Sequence, residues 1–307
     1  MIPNLRFRTV VLGLAFTGSL AAAAETAPKI VKDVTFLTPD RAEKLDLYLP
    51  APPAPGRSSP AVVWIHGGGW TGGEKGEVRG TEICTTLAKA GYVAVSINYM
   101  LGENSWPQDL LDCKNAVRFL RAHAAEYRIA PDRIGVAGGS AGGHLSLMVG
   151  LTTGRKEFEP NAPYPGVSSA VRCIINMYGI TDLVTKDQVD AKGERTATRK
   201  LMARSKQAFG AVTDGDDVLR LASPIHYVTK ATPPVLTFHG RADLTVDFSQ
   251  AENLIAVLTQ LGVEHEEVFL DGVGHAFNWE KSGDTPLPRD LRPTALEFLA
   301  KHLGEPR

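Results

Sequence analysis

Ser140 is the residue whose surroundings most clearly predict covalent chemistry. It lies in the segment GGSAGG at 138–143, which matches the pattern G-x-S-x-G. An apolar run typical of a strand precedes it at 133–137, and a helical pattern follows it at 141–151. A serine in such a strand–turn–helix is held with its hydroxyl above the sheet, and small neighbours keep the turn free of clashes. The pattern therefore predicts a nucleophile for acyl transfer.

A second segment, HGGGW at 66–70, could stabilise negative charge beside that serine. It directly follows the apolar run 61–65. Glycines let the main chain approach a substrate, and a backbone N–H directed at a developing oxyanion is worth about 3–4 kcal/mol. A phosphate-binding loop is the alternative, but no lysine occupies the position that the pattern G-x-x-x-x-G-K-[ST] requires. The segment therefore favours an oxyanion-binding loop.

A serine nucleophile in a G-x-S-x-G turn is followed along the chain by an acid and then a histidine base. His275 lies just beyond the last predicted strand, in the segment GVGHAF. Asp243 follows the preceding predicted strand, in HGRAD, where its carboxylate can accept from the imidazole N–H and fix the tautomer. Asp247 is the main alternative acid, although its position near a helix start also suits N-capping, and Asp182 is a weaker one. We predict a triad of Ser140, Asp243 and His275.

The elements that must position these residues alternate between strands and helices. Two short strands are predicted at 29–37 and 43–49, and their short connection predicts an antiparallel edge. Later strands are predicted at 61–65, 92–97, 133–137, 171–177, 234–238 and 266–270, and helices at 81–90, from 107 onward, and at 141–151, 248–261 and 291–303. The alternation predicts an α/β fold, with a mostly parallel central sheet and helices on both faces.

Composition is that of an ordinary globular protein. The chain has 307 residues, is 43% hydrophobic and carries a formal net charge of −1. Scattered lysines and arginines form no basic stripe, so no nucleic-acid partner is expected. No pattern indicates a metal site or a cofactor. The three cysteines, which cannot all pair within one chain, are interpreted as buried free thiols: Cys84, Cys113 and Cys173.

The first residues are typical of a signal peptide. Two arginines precede the apolar stretch 10–16, and small residues at 18–24 offer a cleavage site before Glu25. The apolar stretch is shorter than the ~20 residues that a membrane span needs. We therefore expect a signal peptide at 1–24, a secreted or periplasmic protein, and no membrane association after cleavage.

The remaining residues, 25–307, are interpreted as one catalytic domain, since this length suits a single α/β domain. The polar interval 181–221 interrupts the strand–helix alternation. It is interpreted as an insertion that covers the carboxyl edge of the sheet as a partial lid. A monomer or a small homo-oligomer is expected.

Four motifs together resemble a known family. HGGGW, GGSAGGHL, HGRADLTV and GVGHAF are similar to segments of the α/β-hydrolases in the hormone-sensitive-lipase-like, acetyl/feruloyl esterase group. The resemblance covers nearly the whole chain after residue 24, and it implies that Gly68, Gly69 and Ala141 donate the oxyanion-hole hydrogen bonds. Gly139 replaces the aspartate of the GDSAGG segment of hormone-sensitive lipases. This difference and the HGRAD acid motif favour the secreted acetyl/feruloyl branch.

The resemblance and the expected export imply an esterase that removes acetyl or feruloyl groups from plant cell-wall polysaccharides. Trp70, Trp106 and Phe277 lie in or near the predicted site loops and are predicted to line a substrate pocket, although loop packing explains each of them equally well. A generalist short-chain carboxylesterase is the alternative enzyme. A catalytically inactive binding module is the alternative class, but such proteins typically lose a triad residue or the oxyanion glycines. None is missing here.

Overall fold

An eight-stranded sheet forms the centre of the computed structural model, which describes residues 27–159, 161–184, 206–211 and 217–306. The strands are β1 (Lys29–Thr35), β2 (Lys44–Leu49), β3 (Ser59–Ile65), β4 (Val93–Ile97), β5 (Ile129–Gly139), β6 (Ile174–Met177), β7 (Val235–Gly240) and β8 (His265–Leu270). Their order is β1-β2-β4-β3-β5-β6-β7-β8. β2 is antiparallel to both of its neighbours, and the other pairs are parallel. The predicted mostly parallel sheet with an antiparallel N-terminal edge is confirmed.

Central strands are mostly apolar because both faces of the sheet are covered. All residues of β3, β4 and β6 are buried, whereas the edge strand β1 is largely exposed. The prediction at 133–137 is too short, because the pairing of β5 with β3 begins at Ile129, opposite Ser59. The prediction at 171–177 is too long, because pairing of β6 with β5 begins only at Ile174.

Helices cover both faces, as predicted. They are α1 (Val78–Lys89), α2 (Gln108–Ala122), α3 (Ala141–Leu151), α4 (Asp217–Leu221), α5 (Ser249–Leu261) and α6 (Arg292–Leu303). Side chains of α2, α3 and α5 enter one apolar core, and those of α1 and α6 enter a second core. Every residue of α3 is buried. The helix that directly follows Ser140 is therefore packed on all sides.

A short hairpin of β9 (Lys281–Ser282) and β10 (Thr285–Pro286) precedes α6 and was absent from the sequence prediction. The expected signal peptide at 1–24 lies outside the described residues, as do 185–205 and 212–216 of the expected lid at 181–221.

The described part of the chain contains neither a candidate membrane span nor a candidate metal cluster. No helix there is long and apolar enough to cross a membrane. Over the same residues, no three histidine, cysteine, aspartate or glutamate side chains form a cluster that could hold a metal ion. The three cysteines are free and buried, as the sequence predicts.

Glu159 joins two basic side chains of α2. Its carboxylate lies 3.0 Å from Lys114 Nζ and 2.8 Å from Arg118 Nη2, and it accepts from the Ser169 hydroxyl at 2.7 Å. The Lys114 side chain is fully buried. Burial alone raises the pKa of Glu159, but the Ser169 hydrogen bond and the Lys114 charge outweigh it, so the pKa lies below its usual value.

We expect Glu159→Gln to reduce the free energy of unfolding in urea by roughly 2–3 kcal/mol, since Lys114 would remain buried without its counter-ion. This is less than a fully buried pair provides, because Glu159 keeps 20% of its surface exposed. The lowered pKa stabilises the fold above the unfolded-state pKa, so the difference between wild type and variant should shrink as the pH falls below 4.5. Glu157→Gln, in an exposed pair with Arg155, is the matched control and should change stability by less than about 0.5 kcal/mol. An equal effect of both substitutions would contradict this account.

Candidate active site

Ser140 lies at the sharp turn between β5 and α3. Its backbone has φ +58° and ψ −122°, a conformation that is strained for a residue with a side chain. Its N–H donates to the carbonyl of Met177 at 2.9 Å, which ties the turn to β6. A Cβ at Gly142 would lie 2.0 Å from the Ile65 carbonyl oxygen, so only glycine permits this close approach of α3 to β3.

The structure brings Ser140, His275 and Asp243 together in one row. His275 Nε2 lies 2.9 Å from Ser140 Oγ, and His275 Nδ1 lies 2.6 Å from Asp243 Oδ2. Asp243 comes three residues after β7, and His275 comes five residues after β8. Since the carboxyl ends of parallel strands share one edge, three distant segments meet there. The serine hydroxyl can donate to the imidazole, and the imidazole can donate to the carboxylate.

Asp243 is held by backbone and side-chain donors. Its Oδ1 accepts from the backbone N–H groups of Thr245 and Val246 at 2.8 and 2.9 Å. Its Oδ2 also lies 3.4 Å from His239 Nε2. Burial raises the pKa of Asp243, but hydrogen bonds from His239 and His275 together outweigh burial and hold the pKa well below its usual range. The carboxylate is therefore ionised at neutral pH and oriented toward His275.

The two alternative acids have local roles in the structure. Asp247 Oδ1 accepts from the backbone N–H of Ser249 at 2.9 Å, at the start of α5. Asp182 Oδ1 accepts from the backbone N–H of Val184 at 2.8 Å. Of these three carboxylates, only that of Asp243 bonds to His275.

The HGGGW segment lies against the serine turn. A Cβ at Gly67 would be 3.2 Å from the Ser140 Cβ, so the two loops are in contact. Gly68, Gly69 and Trp70 have φ of +123°, +63° and +60°. These left-handed angles turn the loop sharply beside the serine. Ala141, the first residue of α3, belongs to the first helical turn, whose N–H groups have no partner within the helix.

Trp70 and His144 join the HGGGW segment to α3. Trp70 Nε1 donates to His144 Nδ1 at 3.2 Å, so Nε2 carries the imidazole proton and donates to the carbonyl of Ala222 at 2.6 Å. Complete burial lowers the pKa of His144 to about 4, which keeps the ring neutral at neutral pH. Phe209 packs edge-on against Trp70. The neutral imidazole thereby braces the loop, α3 and the segment after α4.

Two of the three aromatic residues that were predicted to line a substrate pocket are buried instead. Trp70 and Phe277 are each 0% exposed. Trp70 packs edge-on against His144 and Phe209. Phe277 packs on Tyr178 in the core, beneath the loop 271–280 that carries His275, which we call the histidine loop. Both side chains brace loops rather than line an open surface. Trp106 is half-buried and packs against Phe158.

Tyr178 and His239 are site neighbours that sequence reasoning assigned no role. The Tyr178 ring meets the His275 ring edge-on at 4.9 Å, and its hydroxyl donates to the Phe277 carbonyl at 2.6 Å. The hydroxyl thereby holds the histidine loop. An aromatic residue directly before Gly179, at the end of an apolar strand, is the sequence signal that could have indicated a tight turn there. His239 is the last residue but one of β7. Its closeness to Asp243 depends on how the loop after β7 folds back, which the sequence does not show.

Residues 45–258 match the sequence model of the BD-FAE family. Esterase LipC of Mycobacterium tuberculosis is 29% identical over 250 residues, which are 78% of this chain and 58% of LipC. Esterase LipQ of the same organism is 29% identical over 253 residues, which are 80% of this chain and 57% of LipQ. The chain thus spans little more than half the length of these relatives.

Solved structures share the architecture over nearly the whole chain. A truncated form of a carbohydrate esterase from gut microbiota has 26% identity and a TM-score of 0.74, covering 92% of this chain and 98% of its own. A thermophilic esterase from the Planctomycetes species Thermogutta terrifontis has 25% identity and a TM-score of 0.71, covering 90% of this chain and 93% of its own. The predicted α/β-hydrolase fold and the esterase-group resemblance are confirmed. This chain belongs to the BD-FAE family of α/β-hydrolases.

Proposed function

We propose that this protein is a serine carboxylic-ester hydrolase. The observation that carries the proposal is the hydrogen-bonded row of Ser140, His275 and Asp243 beside a glycine loop of left-handed backbone. The relatives and structural neighbours named as esterases support it.

In the proposed reaction, His275 takes the proton of the Ser140 hydroxyl as the oxygen attacks the ester carbonyl. Backbone N–H groups of Gly68, Gly69 and Ala141 stabilise the tetrahedral oxyanion. His275 then gives the proton to the departing alcohol, and a water molecule repeats the sequence on the acyl-serine. Asp243 fixes the imidazole tautomer and stabilises the imidazolium. Tyr178 holds the histidine loop by its bond to the Phe277 carbonyl.

The proposed substrates are acetyl or feruloyl esters of plant cell-wall polysaccharides. The carbohydrate esterase from gut microbiota, whose structure matches over 92% of this chain, favours this class. A generalist short-chain carboxylesterase is the second candidate, favoured by the likeness to LipC and LipQ, which are named only as esterases.

Hydrolysis of a p-nitrophenyl ester series, methyl ferulate and acetylated xylan tests these proposals. The carbohydrate proposal predicts turnover of acetylated xylan or methyl ferulate, with a sharp fall beyond short linear acyl chains. Activity that rises with acyl length would contradict it and favour a lipase-like enzyme. Absence of turnover on every ester would overturn the esterase proposal itself.

The oxyanion role of the glycine loop gives a separate prediction. A Cβ at Gly68 would lie 2.0 Å from the Gly72 carbonyl oxygen, and φ is +123° there, so Gly68→Ala must displace the loop. We expect kcat for p-nitrophenyl acetate to fall roughly 10²- to 10³-fold. Gly72→Ala is the matched control, because its Cβ would meet only the Gly68 carbonyl oxygen at 3.8 Å. Similar kcat values for both variants would argue against the assignment.

We also propose that the protein is exported and loses residues 1–24. The basic, apolar and small-residue stretches before Glu25 support this proposal. Mass spectrometry of protein recovered from the periplasm or medium should find an N-terminus at Glu25. Recovery only from the cytoplasm, with residues 1–24 retained, would contradict export.

A further inference from the structure

His239 is a buried histidine beside the proposed acid, and the reaction described above does not use it. It lies near the end of β7, directly before the loop 241–248 that carries Asp243 to α5, which we call the acid loop. The side chains of His239 and Asp243 are both 0% exposed. Because neither side chain faces water, an electrostatic contact between them is stronger than the same contact at the surface.

The atoms that face the His239 ring determine where it carries a hydrogen. Its Nε2 lies 3.0 Å from the Val246 carbonyl oxygen and 3.4 Å from Asp243 Oδ2. A carbonyl oxygen and an ionised carboxylate can only accept, so Nε2 must carry a hydrogen and direct it toward this pair. The shorter bond goes to Val246, and the carboxylate is the second acceptor of a shared N–H.

The same contacts close the acid loop around the carboxylate. Val246 is held on both sides, because its N–H donates to Asp243 Oδ1 at 2.9 Å and its carbonyl accepts from His239 Nε2. The N–H of Thr245 also donates to Asp243 Oδ1, at 2.8 Å. Oδ1 therefore faces the backbone of the acid loop, and Oδ2 faces the two imidazoles.

Asp243 Oδ2 is thus shared by the proposed base and by His239. It lies 2.6 Å from His275 Nδ1 and 3.4 Å from His239 Nε2. Burial raises the pKa of Asp243, and the hydrogen bonds from His239 and His275 reverse that shift. A donor beside a carboxylate oxygen stabilises its negative charge. His239 therefore limits how strongly the carboxylate attracts a proton on His275.

We infer that His239 is a positioning residue and the fourth member of the hydrogen-bonded row, which orients the Asp243 carboxylate and tempers its attraction for the proton on His275. This inference rests on the proposed esterase function and adds a residue to it. His239 acts through Asp243, so its removal should change the rate and its pH dependence more than it changes substrate affinity.

Other groups that approach the base lie on separate elements. The Arg79 guanidinium of α1 lies 3.5 Å from the Ala276 carbonyl oxygen and 3.7 Å from the Glu77 carboxylate. Tyr178, directly after β6, meets the His275 ring edge-on at 4.9 Å. A substitution at residue 239 leaves these contacts in place. A shifted pH profile in such a variant therefore reports on the triad acid.

Three substitutions of His239 separate hydrogen-bond donation from packing. The amide nitrogen of glutamine lies two bonds beyond Cγ, as Nε2 does in histidine, so His239→Gln can keep a donor toward Asp243. His239→Met has nearly the same length and no donor. His239→Asn places its amide where Nδ1 lies, out of reach of the carboxylate.

With p-nitrophenyl acetate, we expect His239→Met and His239→Asn to lower kcat about tenfold, with KM changed less than about twofold. The acidic limb of kcat/KM, which reports protonation of the base, should move to higher pH by about half a unit or more. The reason is that the carboxylate without its second donor holds the proton on His275 more strongly. His239→Gln should restore both the rate and the limb to near their wild-type values.

His265→Met is the matched control, because His265 begins β8 and so lies at the opposite edge of the sheet. It should keep the wild-type rate and limb. Thermal unfolding verifies that each variant is folded, and if His239→Met does not fold, the comparison of His239→Asn with His239→Gln replaces it.

The inference is overturned if a folded variant without the donor keeps the wild-type rate and limb. It is also overturned if all three substitutions of His239 lower kcat equally and leave the limb unmoved, as a packing role alone would. Failure of the underlying esterase function has a different signature, because the wild type would then hydrolyse no ester.

Discussion

Ser140→Ala should lower the turnover of p-nitrophenyl acetate roughly 10⁴- to 10⁶-fold, because the variant has no oxygen to form the acyl-enzyme. The structure makes this a clean substitution. Alanine keeps the Cβ of residue 140, whose backbone already has φ +58° in this turn. The substitution removes only the hydroxyl that lies 2.9 Å from His275 Nε2. The N–H of residue 140 still bonds to the Met177 carbonyl. Initial rates under saturating substrate measure the effect.

The control for this experiment is Ser58→Ala, directly before β3 and hence at the opposite edge of the sheet from the site. It should retain wild-type turnover. Unfolding midpoints of both variants should lie close to that of the wild type. Comparable turnover by Ser140→Ala and the wild type would remove Ser140 from the mechanism.

Asp243→Asn should lower kcat roughly 10³- to 10⁴-fold with little change of shape. The asparagine oxygen can still accept from the N–H groups of Thr245 and Val246, as Asp243 Oδ1 does. The amide nitrogen, however, would face His275 Nδ1 and favour the tautomer that places the proton on Nε2. That proton would block the transfer from the Ser140 hydroxyl.

Asp247→Asn is the matched control for the triad acid. Asp247 is the alternative acid that the sequence offers, and in the structure its carboxylate accepts from the backbone N–H of Ser249 at the start of α5. It should cost little activity. Loss of activity in Asp247→Asn with activity retained in Asp243→Asn would reverse the assignment.

The pH dependence of Asp243→Asn stability follows from the lowered pKa of the native carboxylate. A pKa held below the usual 3.8 stabilises the folded state above that value and ceases to do so as the pH falls through the folded-state pKa. The difference in unfolding free energy between wild type and variant should therefore be constant near neutrality and shrink in strong acid.

The placement of the triad could be predicted because it depends on strand ends. Ser140, Asp243 and His275 each follow an apolar run, and parallel strands bring their carboxyl ends to one edge. Correct element types were therefore sufficient, even where the bounds of β5 and β6 were displaced by several residues. The hydrogen-bond distances within the triad could not be predicted from the sequence.

Side-chain direction in loops could not be predicted in the same way. Trp70 and Phe277 lie in the correct loops, yet both are buried because Trp70 packs against His144 and Phe209 and Phe277 packs on Tyr178. The β9–β10 hairpin was missed because its segment KSGDTP is polar and lacks strand periodicity. Sequence reasoning therefore did not predict the hairpin.

Fluorophosphonate labelling with peptide mapping shows directly whether Ser140 is the activated nucleophile. Such a probe reacts with a serine only where the hydroxyl is activated and an oxyanion site accepts the phosphoryl oxygen. We expect one adduct in the folded wild type, on Ser140, and its loss in His275→Ala. No adduct on the folded wild type, or an adduct on a serine other than Ser140, would contradict it.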